Sequence, residues 1–134
     1  RMSNGTNRGF VFKSGTTSVA GIDASGNGRF IGDVVAYSSS DARLKENLEV
    51  IPNALDKVQA LSGYTFDWND KQDAYEVGKR DVGVIAQDVE AVLPEVVVDR
   101  ELTGYKAVNY EKLVPLLIEA IKELKAEVET LKKG

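Results

Sequence analysis

The chain has 134 residues, 43% apolar and 28% charged, a formal net charge of −4, and neither cysteine nor histidine. That size and composition fit one ordinary domain, or a small domain with an appendage. They exclude a Ser/His/Asp triad, a cysteine nucleophile and zinc sites built on His or Cys. No apolar run approaches the ~20 residues of a membrane span, and a chain that opens on Arg1 reads as a piece of something longer.

Charge divides unevenly along the sequence. Residues 1–39 carry four basic and two acidic side chains, a net of +2, whereas residues 40–134 carry 13 basic and 19 acidic, a net of −6. An acidic C-terminal part without a basic stripe argues against nucleic-acid binding, and neither part resembles a membrane-surface binder. The lack of cysteine fits a reducing compartment.

In chain order, residues 1–39 read as short strands broken by glycine and small polar residues. Phe10-Val11-Phe12 precedes the turn Ser14-Gly15-Thr16-Thr17, and Val19-Ala20-Gly21-Ile22 precedes Asp23 through Gly28. Phe30-Ile31 and Val34-Val35-Ala36-Tyr37 complete the series. Gly26-Asn27-Gly28 supplies residues that tolerate positive φ and is read as a hairpin turn. The segment has too few large apolar residues for a core of its own, so it is expected to stack against copies of itself or adjoining repeats, as a fibre does.

From Ser40 onward the pattern is that of a compact α+β module. Ile51, Leu55, Val58 and Leu61 recur at helical spacing behind Pro52, with Gly63 as a stop. Tyr64, Phe66 and Trp68 alternate with polar residues as in a strand. Residues 69–81 read as a polar loop, residues 82–85 as a buried strand and residues 87–92 as a short helix ending before Pro94. Val96-Val97-Val98 and residues 105–108 form an expected hairpin about Thr103-Gly104.

The last segment, residues 109–133, is the clearest signal. Tyr110, Val114, Leu117, Ile121, Leu124, Val128 and Leu131 are spaced 4, 3, 4, 3, 4, 3. This is a heptad seam with Glu and Lys outside it. A helix packed only on its own domain shows a wider stripe, so the seam favours a self-associating coiled coil, of a strand number that heptads alone do not set. Pro115 predicts a kink or a loosened first turn.

Chemistry concentrates at Ser40-Asp41-Ala42-Arg43-Leu44-Lys45. With Cys and His absent, a hydroxyl nucleophile with a lysine base is the main covalent route left. Neither regular structure joins the pair easily: five positions lie about 140° apart on a helix and on opposite faces of a strand. The bland alternative is that Ser40 or Asp41 caps a short helix while Lys45 pairs with Asp41 at i,i+4. As a base, Lys45 would have to be neutral, which burial or a nearby positive charge such as Arg43 favours. Ser40 Oγ would then attack a carbonyl within reach, most simply that of Ser39. Asp67, Asp70 and Asp73 lack the glycine and distal glutamate of a calcium loop, and Gly26-Asn27-Gly28 lacks the helix of a phosphate cradle. No metal and no cofactor are expected.

Three stretches carry a family resemblance: Ser40 through Leu48; Gly83-Val84-Ile85-Ala86-Gln87-Asp88-Val89-Glu90 with Leu93-Pro94-Glu95; and Tyr110 through Ile121 with Leu113-Val114-Pro115-Leu116-Leu117. Their order resembles the intramolecular chaperone domain of bacteriophage tail spikes and tail fibres, the S74 class of self-cleaving peptidases. The resemblance implies an α+β fold with a β-rich fibre end at 1–39, a chaperone module at 40–134 and a helix at 109–133 that forms a trimeric coiled coil. It further implies a homotrimer that folds its own upstream fibre segment as client, then cuts itself free with Ser40 as nucleophile and Lys45 as base. The scissile bond is placed at Ser39–Ser40, with the fibre part in the virion and the chaperone part released in the host cytoplasm. A permanent structural module at a fibre tip is the competing reading.

Overall fold

The computed structural model describes residues 9–134, so the first eight residues of the segment assigned to 1–39 lie outside the described residues. The architecture is mixed, with β-structure at the N-terminal end and a long C-terminal helix, and it divides into two compact units. The first comprises residues up to Lys45 together with Asp67–Arg80; the second comprises Glu46–Phe66 and Asp81–Gly134.

In the first unit, β1 (Phe10–Ser14), β2 (Thr17–Ile22) and β3 (Gly28–Phe30) form an antiparallel sheet in the order β1-β2-β3. The Ser14↔Thr17 pairing leaves Gly15 and Thr16 as a two-residue turn, and Gly15 adopts φ +60°, the conformation that such a turn asks of its first central residue. The β2–β3 turn is organised by Asp23. Its Oδ1 accepts from the amides of Ser25 and Asn27, each at 3.0 Å, while Gly26 takes φ +82°. Residues 34–37 form no strand. Val34, Val35 and Tyr37 stand exposed, because no neighbouring strand among the described residues pairs with them.

The second unit holds α1 (Ala54–Gln59), β4 (Tyr64–Asp67), β5 (Arg80–Gly83), α2 (Ala86–Val92), β6 (Val97–Asp99), β7 (Lys106–Val108) and α3 (Val114–Lys133), except that Asp67, the last residue of β4, and Arg80, the first of β5, are grouped with the first unit. β4 hydrogen-bonds to β5, and β6 pairs antiparallel with β7 through Val97↔Val108 and Asp99↔Lys106, the expected hairpin. Val82 is exposed, so β5 is not the buried strand that its apolar run predicts. Helix α1 starts two residues after Pro52, because Asn53 takes the left-handed conformation at φ 52° and offers no side-chain cap. The missing cap comes from α3: Glu123 accepts from the amides of Ala54 at 2.7 Å and Leu55 at 3.3 Å. The core lies between these helices, with Ala54, Leu116 and Ala120 buried and Ile51, Leu55, Val58, Leu61, Leu93 and Leu113 packed on them. Lys106 Nζ ties β7 to Asp99 and to Glu90 of α2, each at 2.8 Å; those two carboxylates, Asp99 foremost, push its pKa up to about 12.

Pro115 sits in the first turn of α3, where its missing amide costs no helix bond. A 3-10 turn at Tyr110–Leu113 precedes it, the loosened start that the sequence predicts. Tyr110 is therefore not a seam residue of the α-helix. Its hydroxyl accepts from the Val84 amide at 3.1 Å and lies over Gly83, where a Cβ would meet it at 2.6 Å.

Candidate functional site

The Ser40–Lys45 segment makes a short, well-defined turn. Asp41 is extended at φ −64°, ψ 134°, and its Oδ1 accepts from the Arg43 amide at 2.9 Å, capping a 3-10 turn over Ala42–Leu44. Leu44 N donates to the Asp41 carbonyl at 3.0 Å and Lys45 N to the Ala42 carbonyl at 3.2 Å. A 3-10 helix turns once in three residues, so these three residues return the chain to the side on which it entered. Lys45 Nζ then donates to Ser40 Oγ at 2.7 Å. The two groups that neither an α-helix nor a strand would join are joined by the tighter helix.

Part of the bland alternative is also present, in a form that leaves the pair intact. Asp41, not Ser40, is the cap, and its ionic partner is Arg43 rather than Lys45. Arg43 binds the carboxylate through two bonds, Nε to Oδ1 at 3.1 Å and Nη2 to Oδ2 at 2.9 Å. The Arg43 side chain, foremost, and its backbone amide hold the Asp41 carboxyl below its ordinary range, and Asp41 in turn raises the guanidinium. Arg43, the positive charge considered for Lys45, is thus committed to a carboxylate. Ser39, Ser40 and Lys45 are all exposed. The arrangement can present a hydroxyl beside an amine, one peptide bond away from the Ser39 carbonyl.

The other singled-out groups fall elsewhere. Asp67 pairs with Arg80 at 3.3 Å. Trp68 lies just beyond β4 and stacks on Tyr75 with ring centroids 4.2 Å apart, so the alternating aromatic row does not run on as one strand. Two contributors had little sequence signal: Asp41 as the anchor of Arg43, hinted at only by its type at a turn, and Glu123, which serves a helix 69 positions away.

The seam residues of α3 are exposed along one flank: Leu117 at 47%, Ile121 at 66%, Leu124 at 48% and Val128 at 41%. The flank packed against α1 is a different one, with Leu116 and Ala120 buried and Glu123 capping. No helix among the described residues is long and apolar enough to cross a membrane.

Residues 40–98 match the peptidase S74 family described as "Chaperone of endosialidase". The chain is also similar to three relatives named "Long tail fiber protein Gp37". Identity is 43% over 110 residues with those of Enterobacteria phages M1 and Ox2, covering 80% of this chain and 43% of each relative. It is 40% over 98 residues with that of Enterobacteria phage K3, covering 71% of this chain and 8% of the relative. The chain thus spans less than half the length of the curated relatives it matches.

Proposed function

Residues 40–98 belong to the chaperone-of-endosialidase family, and from that premise we propose that the chain is the end of a phage tail fibre joined to its own folding helper. In this reading residues 40–134 gather three copies, assist the β-structured part at and before residues 1–39, and detach by cutting at Ser39–Ser40. The observation that carries it is the 2.7 Å contact between Lys45 Nζ and Ser40 Oγ inside a capped turn.

The chemistry is a single turnover on the chain's own backbone. Ser40 Oγ gives its proton to a neutral Lys45 Nζ and adds to the Ser39 carbonyl carbon. The adduct collapses by releasing the Ser40 nitrogen, which takes that proton, and the Ser39 acyl group becomes an ester on Ser40 Oγ. Water hydrolyses the ester, leaving a carboxylate on Ser39 and a free amine and hydroxyl on Ser40. In the single chain the amine donates to the hydroxyl in the open. The base role needs the reverse bond with an uncharged amine, and enclosure from solvent favours that state. We assign that enclosure to assembly, so that cutting follows correct association.

Assembly itself is supported by the exposed flank of α3. Each of its Leu, Ile and Val side chains still has a substantial part of the ~1.5–3 kcal/mol of full burial to gain. Exposed Val34, Val35 and Tyr37 in the segment before the cut fit β-structure that is completed by other chains. A fibre of interwoven strands nucleates slowly because its contacts are intermolecular, and a helper that associates first raises local concentration and sets register. The fibre part then resides in the virion and the helper is left in the host cytoplasm.

A denaturing gel tests the reading. Wild-type protein yields pieces of 39 and 95 residues, and Ser40→Ala and Lys45→Ala each give one uncut band. A single band in every variant would return the chain to a permanent structural module at a fibre tip.

A further inference from the structure

The excursion Asp67–Arg80 belongs to the same compact unit as the β1–β2–β3 sheet. Two hydrogen bonds join them across long stretches of sequence. Ser25 Oγ donates to the Asp73 carbonyl at 2.8 Å, and Asn27 Nδ2 donates to the Ala74 carbonyl at 3.2 Å. Each partner also carries its own internal contacts. On the sheet side, Asp23 accepts from the Ser25 and Asn27 amides and from Arg29, which fixes the turn that carries the two donors. On the loop side, Trp68 stacks on Tyr75 within 3° of parallel. Trp68 also donates to the Lys79 carbonyl at 3.1 Å and accepts from Gly78 at 2.8 Å, while Gln72 bonds the Asn69 and Tyr75 backbones. A cavity of about 500 Å³ between turn and loop is lined by Asn27, Arg29, Tyr75, Glu76 and Lys79.

The turn lies before Ser39 and the loop after Ser40, so a cut between those serines passes through a compact unit rather than between two. We propose that the 68–79 loop is the helper's docking surface for the fibre end, with the 23–27 turn as its occupant, and that the two pieces stay one non-covalent complex after the peptide bond is gone. Cutting and departure are then separate events, the second controlled by displacement of the turn from the loop. This rests on the cut lying at Ser39–Ser40, and the experiment keeps the two claims apart.

A site for a sequence-specific protease is inserted after Ser39 in a Ser40→Ala chain, so that opening the backbone does not depend on the Ser40–Lys45 pair. After digestion, size-exclusion chromatography in native buffer reads whether residues 1–39 travel with the remainder. The expected result is co-elution, with dissociation roughly tenfold or more faster in Ser25→Ala/Asn27→Ala, which removes both donors. Replacing residues 70–77 by a Gly-Gly linker removes the other side and gives the same release, and unchanged helical circular dichroism shows that the second unit is intact. Pieces that separate at once in the parent chain overturn the proposal. So do pieces that remain together equally in all three chains. Self-cutting of the wild-type chain is read separately on a denaturing gel and decides only the parent reading.

Discussion

The five buried apolar side chains among the described residues, Ala54, Val89, Val96, Leu116 and Ala120, all lie in the second unit. The described residues of the first unit bury none, and its strands present Phe10, Phe12, Ile22 and Phe30 in the open. Its order comes from turn chemistry instead: Gly15 and Gly26 at positive φ, Asp23 drawing in two amides, and Asp41 capping a 3-10 turn. Hydrogen bonds of this kind contribute about 1 kcal/mol each in net terms, whereas each large apolar group withdrawn from water contributes about 1.5–3 kcal/mol. The second unit has its own source of stability, and the first is shaped in detail while lacking one. In the function proposed above, the second unit supplies the helper's own core, and the strands before Ser39 would gain theirs from other copies.

Breaking association has the largest expected effect. Replacing Leu117, Ile121 and Leu124 together with Glu puts like charges on the exposed flank of α3 and leaves the α1-facing flank untouched. The protein becomes monomeric by sedimentation, keeps its helical signal, and cuts itself at least a hundredfold more slowly on a denaturing gel. A monomer that cut at the wild-type rate would sever cutting from assembly.

Leu116→Ala is the next largest. It opens a cavity in the core around Ala54, Leu116 and Ala120 and costs about 2–5 kcal/mol in chemical denaturation, whereas Phe12→Ala in the first unit costs well under that in the unassembled chain. Equal losses at the two positions would erase the contrast.

How far this was legible depends on what each element leans on. Local turn chemistry was readable: Ser14-Gly15-Thr16-Thr17, the Asp23–Gly28 turn and the hairpin about Gly104 depend on residues within a few positions of one another. The α2 stop before Pro94 and the loosened start of α3 at Pro115 were readable for the same reason. Elements that depend on distant partners were not. Residues 34–37 have strand composition and no neighbouring strand among the described residues to pair with, and Val82 has the composition of a buried residue on an uncovered face. On α3 the heptad row and packing on its own module are alternatives in the sequence, yet Leu116, Ala120 and Glu123 form a second row facing α1 and leave the heptad row exposed. At Ser40 and Lys45 the residue types were legible, but only a 3-10 turn, outside the choice of α-helix or strand, accounts for their contact.

The smallest effect separates the units by acidity. Hydrogen bonds from the Asn27 backbone, then the Arg29 side chain, lower the Asp23 pKa from 3.8 to about 2. A carboxylate lowered on folding supports the structure fully above its unfolded value, and that support fades as pH falls through the folded one. The amide protons of Ser25 and Asn27 are therefore expected to keep their exchange protection at pH 4 and lose it near pH 2. Loss already at pH 4 would show that Asp23 does not order the turn.

Glu123 has a consequence beyond closing the start of α1. A lone amphipathic helix can roll about its long axis to accommodate whichever neighbour arrives. One bolted by a carboxylate to the amides of Ala54 and Leu55 has lost that freedom. Its outward stripe is therefore fixed in direction within the single chain, and in the proposed assembly the angular setting of the bundle would be written into each separate subunit.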